Sequence, residues 1–401
     1  MHANAHYTVI GSGHGGRAMA AHLALMGFPT TLFNRTPERV TAIRLRGGID
    51  LERNDGLPGG FGRLARVTSD YAEAAADADI IMVVTPSSAH RDVAQGCAPH
   101  LRDGQIVVLN PGRTCGAIEF AKVLRDHGCR AAVTVAEAGT FIYASRSDGP
   151  AQARIFRVKE AVPLAALPAI RTQAVLDALQ PAYPQFIDGG NVLKTSLDNM
   201  GAIFHPALTL LNAGWIEATH GDYQFYIEGV TPSVARILEA LDRERLTVAA
   251  ALGVRAQSAL EWLQMAYNAT GNDLNEAIHN QPGYYGIQAP PTLNHRYIFE
   301  DVPMSLVPLA ALGQRFGVSV RAMDAIIRLA CIVHRTDYWR RGRTLDRLGI
   351  EQWSVCELTQ YVNEGTVDGE DCGLGFDEQS AARLSEPAPA AELLDQEVSV
   401  A

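Results

Sequence analysis

The segment Gly11-Ser12-Gly13-His14-Gly15-Gly16 constrains this chain more than any other, because it places a GxGxxG directly after the apolar run Tyr7 to Ile10 and before the small and apolar residues Ala18 to Met26. A strand that ends in a tight glycine turn and feeds a helix opens a dinucleotide-binding βαβ unit when a second strand follows, and Thr30 to Asn34 supplies that strand. Each glycine has a task. Gly11 permits the turn, Gly13 lets the backbone approach a pyrophosphate, and Gly16 lets the helix pack closely on the strand. The phosphates then meet free N–H groups at the positive end of the helix dipole, without any basic side chain. Ser12, His14 and Gly15 complete the loop, with the His14 ring read as an exposed spacer.

Further β-branched runs at Ile80 to Val84, Gln105 to Leu109 and Ala131 to Val135 alternate with helical patterns, as in a parallel sheet with crossover helices. Ile80 to Val84 is apolar on both faces and belongs mid-sheet. A last strand-like run, Ala153 to Val158, precedes proline-containing segments, and from about Asn191 the periods become long and helical. Thr231-Pro232-Ser233 opens one such helix with an N-cap and a proline at the first position, and Gly253 closes it. The reading is an α/β Rossmann domain, doubly wound with a mostly parallel sheet, over 1–190, and an all-α domain over 191–365. An acidic tail rich in Ala, Pro, Gly and Ser follows over 366–401, expected to be disordered.

The end of the second strand selects the dinucleotide, since an acidic side chain there would bond a ribose diol and repel a 2'-phosphate. This chain has Asn34-Arg35-Thr36 instead. Arg35 offers a planar fork of donors, Arg39 follows one turn later, and Thr36-Pro37 begins a helix whose positive end points the same way, so NADP(H) is favoured over NAD. Thr85-Pro86-Ser87-Ser88 and Asn110-Pro111-Gly112 fall at the carboxyl ends of the next strands, where an open parallel sheet forms its ligand crevice.

Composition removes several classes. The 401 residues are 47% hydrophobic and 19% charged, with a formal net charge of -10 and no long basic stripe, which gives no footprint for nucleic acid. No stretch reaches the roughly 18 apolar residues of a membrane span, and the first strand begins too early for a signal peptide, so a cytoplasmic protein is expected. The six cysteines form no CxxC pair and the histidines no HExxH, so no metal site is expected. Arg340, Arg341 and Arg343 follow an apolar helix and read as solvated charge at its C-terminus. Glu137 and Thr140 follow the fifth strand without an assigned role.

Several linked segments together resemble the opine (octopine) dehydrogenases, and most closely the bacterial N-(1-D-carboxyethyl)-L-norvaline dehydrogenase type, over about residues 7 to 363. These are Ile10 to Gly16, Leu109-Asn110-Pro111-Gly112, Thr195-Ser196-Leu197 leading to His205-Pro206, Tyr226 to Ser233, Arg296 to Asp301, and Gly342-Arg343-Thr344-Leu345. The resemblance implies condensation of a 2-oxo acid, often pyruvate, with the amine of an amino acid, and reduction of the imine. It further implies His205 as the catalytic histidine, Asp301 as its carboxylate partner, Arg296 as the holder of a substrate carboxylate, and a homodimer. A carboxylate beside an imidazole favours its charged form, so His205 would serve as proton donor, and Pro206 should set it at a kink in its helix. Two departures stand out. Asn34-Arg35 replaces the acidic residue suited to NAD, and Gly201 stands where the relative has an asparagine one turn before the histidine, leaving Asn199 or Ser196 to assist the substrate.

Two other functions fit the same fold. One is a simple 2-oxo acid reductase of the ketopantoate reductase type, which needs no amine; the other is a non-catalytic NADP-binding sensor, against which the set His205, Asp301 and Arg296 argues.

Overall fold

The computed structural model describes residues 5–54 and 56–367 and the backbone of 370–371. In chain order the strands are β1 (Tyr7–Ile10), β2 (Thr30–Phe33), β3 (Gly48–Leu51), β4 (Gly60–Arg63), β5 (Arg66–Thr68), β6 (Ile80–Val83), β7 (Ile106–Leu109), β8 (Thr134–Ala138), β9 (Tyr143–Arg146), β10 (Gln152–Val158), β11 (Val162–Leu167) and β12 (Phe186–Asp188). An eight-stranded sheet runs β12-β11-β8-β7-β6-β1-β2-β5, and a four-stranded sheet runs β4-β3-β10-β9. The large sheet is parallel except where β11 meets β8. β6 lies between β1 and β7 with all four residues buried, as its two apolar faces require.

The period of two along each strand sends alternate residues into two different cores. Val9, Met82 and Val108 face helix α1 (His14–Leu25), whose Ala18, Ala21 and Leu23 pack with the small sheet. Ile10, Val83 and Leu109 face the other way and join a cluster that continues through Leu197, Ile203, Leu208, Leu309 and Ile327. Helices thus cover both faces, and the C-terminal helices share a core with the sheet. Among them are Val192–Leu197, Met200–Leu211, Pro232–Ala251, Val307–Arg315 and Arg321–His334. The helix Pro232–Ala251 opens on the Thr231 hydroxyl, which accepts from the Val234 N–H, and Gly253 follows its end at φ 69°.

Three expectations need correction. The strand placed at Ala131 to Val135 lies three residues later, and Ala153 to Val158 belongs to the small sheet. β11 was hidden by Pro163, which is tolerated because it sits one residue before pairing with β8 begins at Leu164. Thr36-Pro37 opens only a three-residue 3₁₀ turn, Pro37–Arg39. At Pro206, where a kink was expected, helix Met200–Leu211 continues through the proline, with Ala202, Ile203, Phe204, Ala207 and Leu208 buried on both sides. Most of the acidic tail lies outside the described residues; within it, Thr366–Val367 pairs with Glu370–Asp371. Among the described residues no helix is long and apolar enough to cross a membrane.

Candidate active site

The glycine loop is shaped by close contacts. Gly11 has φ 115°, and a Cβ there would lie 2.3 Å from the Val84 carbonyl oxygen on the neighbouring strand's end. A Cβ on Gly16 would lie 1.7 Å from the Gly11 carbonyl oxygen, so the helix approaches the turn as only glycine allows. Gly13 has nothing within 4 Å of its Cβ position and leaves the approach to the loop open, whereas Gly15 packs on the Phe141 ring. Asn34 latches the loop to the end of β2: its Oδ1 accepts from the Ser12 N–H at 3.1 Å and its Nδ2 donates to the Thr36 carbonyl at 3.0 Å. His14 is exposed, and its Nδ1 accepts from the Ser147 N–H at 2.9 Å.

Helix α1 starts without a side-chain cap, so its first N–H groups are free for an anion. The buried Ser12 Oγ, Thr85 Oγ1 and Asn110 Oδ1, each just past the carboxyl end of β1, β6 or β7, have no protein partner. Such orphaned polar atoms beside an uncapped helix fit a dinucleotide. Pro86 and Thr36 are exposed beside them, as is Arg35, whose Nη1 pairs with Asp92 Oδ2 at 2.7 Å. A Gly16→Ala substitution drives a methyl into the Gly11 carbonyl; we expect a loss of at least about 2 kcal/mol of stability together with weakened nucleotide binding. Thermal unfolding with and without nucleotide checks this, and an unchanged melting curve would contradict it.

His205 and Asp301, 96 residues apart, meet at 2.8 Å between Nδ1 and Oδ2. Asp301 is fully buried; burial alone would raise its carboxyl, but Arg113 and His205 pull it below the ordinary carboxylate range. Arg113 Nη2 lies 3.5 Å from Asp301 Oδ1, and its Nε lies 3.8 Å from Glu300 Oε1. Burial disfavours the Arg113 charge, yet Asp301 and Glu300 more than offset this and hold it protonated. Glu300 also accepts from the Ser87 N–H and Oγ, both at 3.0 Å, and faces Arg296 Nε at 3.1 Å. Arg296 is half exposed, one turn before Asp301. The His205 ring stacks on Tyr297 at 4.1 Å between centroids, which fixes its plane.

Gly201 explains one departure. A Cβ there would lie 2.6 Å from Arg113 Nη1 and 3.3 Å from His205 Nδ1, so the missing side chain makes room for the guanidinium beside the histidine. Asn199 is buried, and its Nδ2 donates to Thr114 Oγ1 at 3.3 Å and Ser305 Oγ at 2.9 Å; both hydrogens are taken up within the protein. Ser196 is also withdrawn, donating to Glu137 and accepting from the Cys115 N–H. Asn199 Oδ1 nevertheless lies 3.3 Å from the Cβ position of Gly201, the same space that Arg113 Nη1 and His205 Nδ1 border.

Arg343 corrects the reading of a solvated basic run. It is fully buried, bonded to Glu119 at 2.6 Å and to the carbonyls of Gly112 and Thr114, each at 2.9 Å, and it donates to His90 Nδ1 at 3.1 Å. His90 is held neutral by burial and by this guanidinium. Arg343 thereby clamps the carbonyls on either side of Arg113, whose own φ of 63° turns its side chain toward Asp301.

A family model described as NAD/NADP octopine/nopaline dehydrogenase, alpha-helical domain, matches residues 188–334, and one for the NAD-dependent glycerol-3-phosphate dehydrogenase N-terminus matches residues 6–116. An opine dehydrogenase of Arthrobacter sp. (strain 1C) is 39% identical over 356 residues, covering 89% of this chain and 98% of that protein. The chain belongs to the opine dehydrogenase family. A vitopine synthase of Allorhizobium ampelinum is 27% identical, covering 86% of this chain and 97% of that one. Octopine dehydrogenase solved with NADH and L-arginine has a TM-score of 0.75 at 20% identity, covering 89% of this chain and 98% of the other. Yersinopine dehydrogenase with NADP+ bound has a TM-score of 0.72 at 15% identity, covering 96% and 98%. At these identities the two structures share the fold.

As an opine dehydrogenase, the protein is a nicotinamide-dependent oxidoreductase whose cleft contains groups that sequence reading passed over: Arg113, Tyr297 and Glu300. Arg113 follows Asn110-Pro111-Gly112 directly, and Tyr297 and Glu300 lie inside the segment Arg296 to Asp301. The signal was adjacency to marked residues; the left-handed backbone at Arg113 that aims its side chain is invisible in the sequence.

Proposed function

We propose that this enzyme uses NADPH to reduce the imine formed between a 2-oxo acid, pyruvate or a close analogue, and the amine of an amino acid. The observation that carries the reading is the His205–Asp301 pair at 2.8 Å, placed in a helical layer that shares a core with the dinucleotide-binding sheet. The amine adds to the oxo-acid carbonyl, the adduct loses water, and the resulting imine accepts hydride at carbon and a proton at nitrogen. The bound nicotinamide supplies the hydride.

The protein's part is positional and acid–base. Asp301, ionised and buried, accepts from Nδ1–H of His205 and so assigns Nε2 as the nitrogen that faces substrate. Protonated there, His205 gives its proton to the departing oxygen or to the imine nitrogen as hydride arrives. Tyr297 holds the ring plane, and Arg296 on its half-exposed stem takes a substrate carboxylate. The uncapped start of α1 and the Gly11 to Gly16 loop, with Ser12, Asn34, Thr36, Thr85 and Pro86, hold the dinucleotide. Arg35 takes the 2'-phosphate in exchange for Asp92, and the second copy of the chain would dock through the helical domain.

Initial rates of NADPH and NADH oxidation with pyruvate, with and without a panel of L-amino acids, test this. Rates that require both partners and favour NADPH are expected. Oxidation with pyruvate alone would indicate a simple oxo-acid reductase, and no oxidation under any pairing would favour a sensor. An Arg35→Ala variant should raise the KM for NADPH roughly 10- to 100-fold, the loss of a charge-assisted pair, while leaving that for NADH nearly unchanged.

A further inference from the structure

The two arginines near His205 are already engaged by carboxylates: Arg113 faces Asp301 and Glu300, and Arg296 faces Glu300. A product with two carboxylates gains from a further cation, because Arg296 can take only one of them directly and the His205 proton is given up in the reaction. Lys159, one residue beyond β10, is half-buried, and its Nζ donates to Thr140 Oγ1 at 2.6 Å. Among the described residues it has no carboxylate within ion-pair distance, whereas its neighbour Glu160 pairs with Arg157 at 3.1 Å. Among the described residues two of its three ammonium donors have no hydrogen-bond acceptor.

Its position ties the two halves of the cleft together. Thr140 immediately precedes Phe141, whose ring lies 2.7 Å from the Cβ position of Gly15 in the glycine loop. On the other side Lys159 is close enough to Arg113 to feel its charge, and Arg113 touches Asp301. We propose that Lys159 binds a substrate carboxylate on the cofactor side of the His205 cleft, so that Lys159 and Arg296 each hold one of the two carboxylates of the product. This rests on the imine-reduction reading. Burial, with Arg113 adding to it, lowers the Lys159 ammonium to about 8, as suits a cation kept without a counter-ion until an anion arrives. Among the described residues Arg113 is the one charge that acts on it appreciably.

The test uses the full-length enzyme and the variants Lys159→Met and Lys159→Arg. With NADPH saturating, Lys159→Met should raise the KM of one carboxylate substrate by roughly 10- to 100-fold with kcat little changed, and Lys159→Arg should restore most of the loss. An effect on pyruvate assigns the oxo-acid carboxylate. An effect on the amino acid, absent when the corresponding decarboxylated amine replaces it, assigns the other. Carboxylate affinity of the wild type should weaken as pH rises through about 8, since the ammonium is charged only below that value, and Lys159→Arg should remove this limb. KM values for both substrates unchanged in Lys159→Met would overturn the proposal. If the wild type shows no turnover, the imine reading fails separately, and calorimetric titration of pyruvate and of the amino acid into wild type and Lys159→Met with NADP+ decides the site. Binding lost only in the variant supports it, while equal binding or none rejects it.

Discussion

In a His205→Asn variant, kcat for NADPH oxidation with oxo acid and amine falls by roughly 10²–10⁴-fold, the usual contribution of a positioned general acid. Nucleotide binding stays intact, because among the described residues the His205 ring bonds Asp301 and stacks on Tyr297, and makes no hydrogen bond to the glycine loop. Asp301→Asn should fall comparably: the amide removes the charge that stabilises protonated His205 and can present a donor to Nδ1, favouring the wrong tautomer. The acid limb of the pH profile separates these roles. Asp301 is held below the ordinary carboxylate range, chiefly by Arg113 against its burial, so it remains charged as pH falls through that range and the dyad is lost only below it. Arg113→Gln should move this limb upward. Stopped-flow rates and fluorescence titration of nucleotide check the set; a His205→Asn enzyme within about tenfold of wild type would remove His205 from the acid's role.

Arg343→Met should cost about 3–5 kcal/mol of folding stability, because it leaves Glu119 buried and ionised without its partner. It also releases the carbonyls of Gly112 and Thr114, so Arg113 loses its aim and kcat should fall even where the variant remains folded. Pairing the change with Glu119→Gln recovers much of the stability, since the stranded charge is removed as well, but does not restore kcat. Urea unfolding of the two single variants and the double variant, with rates measured on the same samples, distinguishes these effects. A loss under about 1 kcal/mol in Arg343→Met would mean that Glu119 is compensated elsewhere.

The glycine loop and the central strands were legible because their requirements are local. A GxGxxG between a strand and a helix, and a run such as Ile80 to Val83 apolar on both faces, state their environment within a few residues. The same is true of the helix from Pro232, with Thr231 and Gly253 marking its ends. Boundaries blurred where local cues conflict, as at Pro163 inside β11, because neighbouring packing overrode a weak local preference. The small sheet was missed for the opposite reason: β3 and β4 are short and glycine-containing, and only their pairing with each other and with β10 makes them strands.

The site divides along the same line. The sequence by itself determined that a dinucleotide fold leads the chain and that Arg35 rather than an acid ends its second strand, and through family likeness it pointed to His205, Arg296 and Asp301, of which His205 and Asp301 meet at 2.8 Å. Only the tertiary structure decided that Arg113 stands beside them in the space left by Gly201, that Arg343 is a buried clamp rather than surface charge, and that Lys159 bonds Thr140 with no carboxylate at ion-pair distance among the described residues. The physical reason is range. Turn and strand geometry is set by neighbours along the chain, whereas the energy of a buried charge is set by whichever groups the fold brings within a few ångströms, here from segments as far apart as Ser87 and Glu300 or Glu119 and Arg343.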